Sequence, residues 1–157
     1  MFNNSHNHQK IIIMKKTIIT FTFLFLMAAS SLANSPSEKV LKIFHSTFIS
    51  AMEVKWYDHE DYYDVNFVQS GIRASVKYDK EGNFISSRRY YGEQTLPVNI
   101  RCQIKKKYPN KKIFGVTEIT NTEEINYYIK LQDDKHWITL KSTGNGYLEM
   151  IEKYRKA

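Results

Sequence analysis

The 157-residue sequence contains a single cysteine, Cys102, so no internal disulfide bond can form. A disulfide-stabilised fold and a zinc site built from paired cysteines are therefore both excluded. Folding must depend instead on burial of apolar side chains, which eleven tyrosines, nine phenylalanines and many isoleucines can supply. We expect the Cys102 thiol to be buried and inert, and the alternative is a reactive or dimer-forming thiol.

Glycine is also scarce, and the six glycines include no phosphate-binding loop after a strand. His45, His59 and His136 fall on a predicted helix, in a turn and on a strand, so they share no location. No serine or cysteine has a histidine at a spacing typical of a nucleophile and its base. The acidic turn at residues 58–61 lacks the alternating ligands and the glycine of a calcium loop. The sequence therefore predicts no catalytic residue, no metal and no cofactor.

Long apolar runs are absent apart from residues 17–29, which are too few for the roughly 20 apolar residues of a membrane-spanning helix. This run follows Met14 and two lysines, and small residues precede the bond after Ala33. We predict that residues 1–33 are an overcalled translation start followed by a secretory signal peptide that is removed, leaving no stable membrane anchor. The mature protein would be periplasmic or secreted, and a retained anchor is the alternative.

The excess of basic residues is small once this leader is set aside. The full sequence has 23 Lys and Arg against 16 Asp and Glu, a formal net charge of +7. Residues 1–33 contain three of the basic residues and no acid, so 20 minus 16 leaves +4. So mild a charge does not favour nucleic acid as a partner. Residues 34–157 are long enough for a single domain.

The same burial pattern occurs twice, at residues 63–90 and 127–154, sixty-four positions apart. Tyr63, Val65 and Phe67 align with Tyr127, Ile129 and Leu131, and Gly82 aligns with Gly146. An apolar stripe at helical spacing precedes each copy. We predict an α+β fold in which two repeats, 35–92 and 93–157, each supply a helix and four antiparallel strands, with both helices on one face of the sheet. Continuity of the sheet between the repeats stays open.

The opposite face of the sheet is the candidate partner-binding surface. Side chains alternate along a strand, so one set points away from the helices. Exposed Trp, Tyr and Arg are typical of protein-binding hot spots. The candidate residues are Trp137, Tyr128, Arg73, Lys77 and Lys141. The second copy is the favoured binding site because it has Trp137 at the position where the first copy has Arg73. The alternative is that Trp137 only packs against neighbouring strand residues.

Several motifs support a family resemblance. The most distinctive are a strand tryptophan in Val54-Lys55-Trp56, a glycine turn in Gly82-Asn83-Phe84 and a helix start at Leu96-Pro97. The other matching segments are Tyr63 to Phe67, Tyr78-Asp79 and Tyr108-Pro109. With them the chain resembles the beta-lactamase-inhibitor-like, PepSY-like family of small exported bacterial proteins, over nearly all of residues 34–157. The resemblance implies a helix-backed antiparallel sheet of two helix-plus-four-strand units.

The same resemblance implies a way of binding. The namesake inhibitor grips a target enzyme with the concave face of its sheet, and PepSY modules are associated with restraining peptidases. No inhibitory loop can be matched residue by residue, so inhibition itself is not implied.

Two classes of function follow from the sequence. The first is an exported noncatalytic binding module whose partner is an exported protein, and a periplasmic hydrolase or peptidase that the module restrains is one such partner. It predicts Trp137 and Tyr128 exposed on a shallow curved sheet. The second is a small-ligand or cell-envelope sensing domain, which predicts a closed apolar cavity, on the order of a few hundred Å³, between sheet and helices.

Overall fold

The structure, a computed structural model, describes residues 35–157. These residues form two α-helices, a short 3-10 helix at Glu93–Thr95 and eight strands. In chain order they are α1 (Glu38–Thr47), β1 (Met52–Asp58), β2 (Tyr62–Gln69), β3 (Ile72–Asp79), β4 (Phe84–Tyr91), α2 (Val98–Lys107), β5 (Lys112–Asn121), β6 (Ile125–Gln132), β7 (His136–Thr143) and β8 (Leu148–Arg155). The predicted export signal lies outside the described residues. Neither described helix is long and apolar enough to cross a membrane.

All eight strands belong to one antiparallel sheet in which they lie in chain order from β1 to β8. The β4–β5 ladder runs from Ser86 opposite Asn121 to Tyr91 opposite Val116. This ladder answers the question that the sequence left open, because it makes the sheet continuous from the first half of the chain to the second. The predicted α+β class, with two helices and an antiparallel sheet, is confirmed.

Each helix is short and buries one pair of residues four positions apart. The pair is Val40 and Phe44 in α1, and Ile100 and Ile104 in α2, and all four side chains are completely buried. This spacing places both members of a pair on the same side of a helix. At the start of α1, the Ser37 hydroxyl accepts a hydrogen bond from the Val40 amide at 3.4 Å.

The core consists of two clusters on the same face of the sheet. The first joins α1 to β2 and β3, where Val65 lies opposite Val76. The second joins α2 to β5, β6 and β7, where Val116, Ile129 and Leu140 lie in one row. Strand alternation leaves the intervening side chains on the other face. We call the helix-free side of the sheet the open face.

The prediction that Cys102 is buried is wrong, because its side chain is exposed. The reason lies in the geometry of α2, whose buried side is defined by Ile100 and Ile104. At about 100° per residue, a residue two positions after Ile100 points away from the sheet. Val98, two positions before Ile100, is 62% exposed for the same reason.

Candidate functional site

Three of the predicted site residues lie in one row across the open face. The ladders place Arg73 opposite Tyr90, Tyr90 opposite Thr117, Thr117 opposite Tyr128, and Tyr128 opposite Lys141. Neighbouring strands are about 4.8 Å apart, so the row extends for about 19 Å across five strands. The structure thus connects Arg73 of the first half with Tyr128 and Lys141 of the second.

The other two predicted residues lie on the open face at opposite sides of this row. Lys77 follows Arg73 by four positions on β3, and Trp137 precedes Lys141 by four positions on β7. Strands β3 and β7 run in the same direction, so the two side chains lie about 13 Å from the row in opposite directions. Lys77 Nζ lies 4.6 Å from the centre of the Tyr62 ring.

Trp137 is half-buried and belongs to a small aromatic patch. The Phe114 ring meets it edge-to-face, with ring centres 4.9 Å apart, and Lys156 Nζ lies 4.6 Å from the Trp137 ring centre. Phe114 itself is 63% exposed. Trp137 therefore packs on its neighbours and also borders an exposed aromatic surface. Phe114 was not predicted as a site residue, because it lies at the β5 irregularity between Ile113 and Gly115, where simple alternation fails.

A polar network occupies the open face between the aromatic patch and the row. Lys130 Nζ donates to Thr139 Oγ1 at 2.9 Å and contacts Glu152 Oε2 at 3.3 Å. Hydrogen bonding to Tyr154 and then to Glu152 raises the pKa of Lys130. Hydrogen bonds from Thr139 and Lys130 lower the pKa of the Glu152 carboxyl. The charges in this part of the face are thus paired with each other.

A groove of about 750 Å³ occupies the open face over strands β1 to β4. Its middle is one ladder row of Lys55, Asn66, Ser75 and Arg88. The short side chains of Asn66 and Ser75 form the floor, and the long side chains of Lys55 and Arg88 stand at either side. The lining also includes Glu53, Tyr57, Asp64, Val68, Arg73 and Tyr90, together with Phe67 and Ala74.

The groove lining carries both signs of charge, with three basic residues against two acidic ones. Arg73 and Arg88 are exposed, and neither forms an ion pair with any of residues 35–157. Arg88 Nη1 has only a long hydrogen bond, 3.4 Å, to the Tyr90 hydroxyl. The Oδ1 atom of Asp64 is buried, and it accepts no hydrogen bond from the described part of the chain. Such an oxygen is costly unless a donor reaches it.

Sequence reasoning included Arg73 but missed Lys55, Arg88 and Tyr90 as site residues. The signal was available in the alternation of β1 and β4, because Lys55 and Tyr57, and Arg88 and Tyr90, fall two positions apart on the same face. What alternation alone cannot supply is the register, which places Lys55 and Arg88 in one row.

A second cleft lies on the helix side of the sheet. Its volume is about 290 Å³, and its lining includes Phe48, Phe67, Ile72, Val76 and Arg89. Arg89 Nη1 contacts Glu118 Oε1 at 3.1 Å. The predicted ligand pocket between sheet and helices thus corresponds to an open apolar cleft rather than a closed cavity.

The three histidines of residues 34–157 lie on three different parts of the fold, namely α1, the β1–β2 turn and the start of β7. His45 is exposed on α1, His59 stacks on the Tyr62 ring with centres 4.3 Å apart, and His136 Nδ1 lies 3.4 Å from Asp133 Oδ1. Over residues 35–157, no three His, Cys, Asp or Glu side chains are grouped closely enough to hold a metal ion.

The comparison with solved structures decides the fold. A BLIP-like protein from Bacteroides fragilis matches with a TM-score of 0.60 and 17% identity, over 82% of this chain and 90% of that one. The chain has the BLIP-like fold. The predicted resemblance to beta-lactamase-inhibitor-like proteins is thereby confirmed at the level of structure.

Other Bacteroides proteins share this BLIP-like fold. A DUF2874 family protein from Bacteroides ovatus matches with a TM-score of 0.58 and 20% identity, over 77% of this chain and 88% of that one. A predicted periplasmic protein from Bacteroides eggerthii matches with a TM-score of 0.58 and 13% identity, over 77% and 89%. No protein-family model and no curated protein sequence matches the chain.

Proposed function

We propose that the protein is an exported, noncatalytic binding module that holds a partner protein against its open face. The observation that carries the proposal is the row from Arg73 to Lys141, in which two cations and two tyrosines share one rigid surface. Arg73 and Lys141 form no ion pair within residues 35–157, so both charges are available to a partner. Arg and Tyr are the residue types that dominate protein interfaces.

The partner class that we propose is an exported hydrolase or peptidase whose activity the protein restrains. Two facts support this choice, namely the leader-like sequence of residues 1–33 and the BLIP-like name of the Bacteroides fragilis relative. The PepSY part of the sequence resemblance points the same way and stays a prediction. N-terminal sequencing of the protein from a periplasmic fraction tests export, and Asn34 is the expected first residue.

Affinity capture tests the binding surface. Wild type, Arg73→Glu, Tyr128→Ala and Trp137→Ala would each be used as bait with periplasmic extract, beside Lys42→Glu. Lys42 is exposed on α1, which covers the opposite face of the sheet. Its reversal to Glu therefore controls for the change of charge. We expect partners that wild type and Lys42→Glu retain and that the open-face variants lose. Recovery of the same partners by all five baits would refute the proposed surface.

We also propose that the fold is a tandem repeat of one helix-plus-four-strand unit. Gly82 and Gly146, which align in the sequence repeat, both have positive φ, and their amides bond to Asp79 and Thr143, also sixty-four positions apart. The helices support the same relationship at a spacing of sixty, since Phe48 N bonds to Phe44 O and Tyr108 N bonds to Ile104 O.

A small-ligand function is the second candidate, and the 290 Å³ cleft favours it. An apolar lining with Arg89 at its side suits a small apolar acid, such as a medium-chain fatty acid. Thermal unfolding with and without decanoate provides the test. A rise in Tm that Phe67→Ala abolishes would support the cleft as the site, and an unchanged Tm would count against it.

A further inference from the structure

The 750 Å³ groove on the first half of the open face continues along β3 into a second depression. This second depression, lined in part by Lys77 and Ser86, shares Asp64, Ser75 and Arg88 with the groove. The two depressions therefore form one trough that passes from Arg73, over Ser75, to Lys77. Its length corresponds to five residues of β3, about 13 Å from the first to the last.

Four cations line this trough, and two acids accompany them. The cations are Lys55, Arg73, Lys77 and Arg88, and the acids are Glu53 and Asp64. Four minus two gives a local charge of +2. None of the four cations forms an ion pair with any of residues 35–157.

The rest of the open face provides a contrast. Lys130, the central cation of the second half, contacts both Glu152 and Thr139. The fold itself neutralises that charge, whereas the four cations of the trough have no ion-pair partner among residues 35–157. An occupant with carboxylates would form charge-assisted hydrogen bonds with Arg73 and Arg88.

Asp64 indicates that the occupant of the trough offers hydrogen-bond donors as well as negative charge. Its buried Oδ1 atom accepts no hydrogen bond from residues 35–157, although Lys77 lies opposite Asp64 on the neighbouring strand. A polyanion that offers only acceptor oxygens, such as polyphosphate, could pair with the cations but could not donate a hydrogen bond to this carboxylate. A peptide offers backbone N–H donors as well as carboxylates, so it satisfies Asp64 and the cations together.

The spacing of the cations indicates an extended peptide. Arg73 and Lys77 are separated by four residues of β3, and Arg88 stands beside Ser75 midway between them. A peptide extended along β3 has the same rise per residue and places alternate side chains on one side. Carboxylates at its first, third and fifth positions would therefore meet Arg73, Arg88 and Lys77 in turn.

We propose that the trough binds an extended acidic segment of the partner protein, with Asp or Glu at alternate positions. This proposal rests on the proposed function. It specifies which part of the open face binds the partner and which chemical groups form the contacts. Charge complementarity identifies the occupant. Trp137 and Phe114 lie in the other half of the face, where they contact a different part of the partner.

Fluorescence anisotropy with labelled peptides tests the proposal directly. The probe is Gly-Glu-Ser-Glu-Ser-Glu-Gly, with Gly-Lys-Ser-Lys-Ser-Lys-Gly and tripolyphosphate as comparison ligands. We expect the acidic peptide to bind, with affinity that falls as NaCl is added. Arg73→Glu and Arg88→Glu, both at exposed positions, should each weaken binding at least tenfold. Lys42→Glu is the matched control and should leave affinity within a factor of two.

Equal affinity of wild type and both arginine variants for the acidic peptide would overturn the proposal, as would stronger binding of tripolyphosphate than of the peptide. Absence of any peptide binding at millimolar concentration would also overturn it. These outcomes are separable from failure of the proposed function. A partner whose capture depends on Trp137 and Tyr128 but not on Arg73 or Arg88 would preserve the function and refute the acidic segment.

Discussion

Tyr91 donates its hydroxyl hydrogen to Glu118 across the β4–β5 ladder, with the two oxygens 2.5 Å apart. The same carboxylate accepts a hydrogen bond from Arg89 Nη1 at 3.1 Å. These residues stand at the ladder that joins the first four strands to the last four, on the face that the helices cover. A charged hydrogen-bond network thus crosses the ladder between the two halves of the sheet, beside Tyr91 of the second core cluster.

Loss of the Tyr91 hydroxyl should destabilise the protein. Glu118 is largely shielded, with 12% of its side chain exposed, and a hydrogen bond to a charged group contributes about 1.5–3 kcal/mol. We expect Tyr91→Phe to lower the free energy of unfolding by about 2 kcal/mol in urea titrations. Tyr90→Phe, next in sequence but on the open face, is the control and should change it by under about 0.5 kcal/mol. Equal effects of the two substitutions would contradict the prediction.

The same residue predicts how stability responds to alkaline pH. Burial, and then the hydrogen bond to Glu118, raises the pKa of Tyr91 above its ordinary value of 10.0. The unfolded chain then loses this proton at lower pH than the folded protein does, so the stabilisation is complete below pH 10 and declines as pH rises above it. Urea midpoints measured from about pH 8 to pH 11 should fall above pH 10. The fall should be smaller in Tyr91→Phe, and an identical fall in both proteins would argue against this assignment.

An acidic limit to stability should come from the turn between β6 and β7. Asp133 Oδ1 accepts hydrogen bonds from the amides of Lys135 and His136, and Oδ2 contacts Lys111 Nζ. The bond from Lys111, followed by that from Lys135, lowers the pKa of Asp133 from its ordinary value of 3.8. A lowered pKa gives stability that is present above pH 3.8 and is lost as pH falls below it.

Asp133→Ala should therefore have a lower urea midpoint than wild type at pH 7, and the difference should narrow as the pH is lowered below 3.8. Asp134→Ala is the control, since the carboxylate of Asp134 is next in sequence but forms no ion pair within residues 35–157. A difference between Asp133→Ala and wild type that is independent of pH would show that the carboxylate charge is irrelevant to this turn.

Much of the fold was predictable because strand alternation is a local property. Val65, Phe67, Ile129 and Leu131, assigned to the helix-covered face from their spacing, are all buried there. Continuity of the sheet was not predictable, because the β4–β5 ladder joins strands separated by a helix and its flanking loops. Local periodicity carries no information about which distant strands pair.

The candidate site shows the same division between local and non-local information. Alternation correctly placed Arg73 and Tyr128 on the open face, and the ladders then showed that they share a row. The groove could not be predicted, since it depends on the register that places Lys55 and Arg88 in one row across four strands. Phe114 was missed because an irregular position in a strand breaks the period on which such predictions rest.

The contact between the β3–β4 turn and α1 leads to a further stability prediction. Gly82 has φ of +92°, and a Cβ atom there would lie 2.9 Å from Ile43 Cδ1 and 3.5 Å from Val40 Cγ2. Alanine would therefore meet a backbone penalty of about 1–2 kcal/mol, and it would displace the Ile43 Cδ1 methyl, the movable end of a half-buried side chain, at a further cost of about 1 kcal/mol. We expect Gly82→Ala to lower the free energy of unfolding by about 2–3 kcal/mol.

Gly71 provides the matched comparison, because its φ is +76° but a Cβ atom there would meet nothing within 4 Å. Gly71→Ala should thus show the backbone penalty alone, about 1–2 kcal/mol. The difference between the two variants, measured by urea unfolding, isolates the packing of the turn on α1. If both lose the same stability, the turn does not press on Ile43, and Gly82 is required only for its backbone conformation.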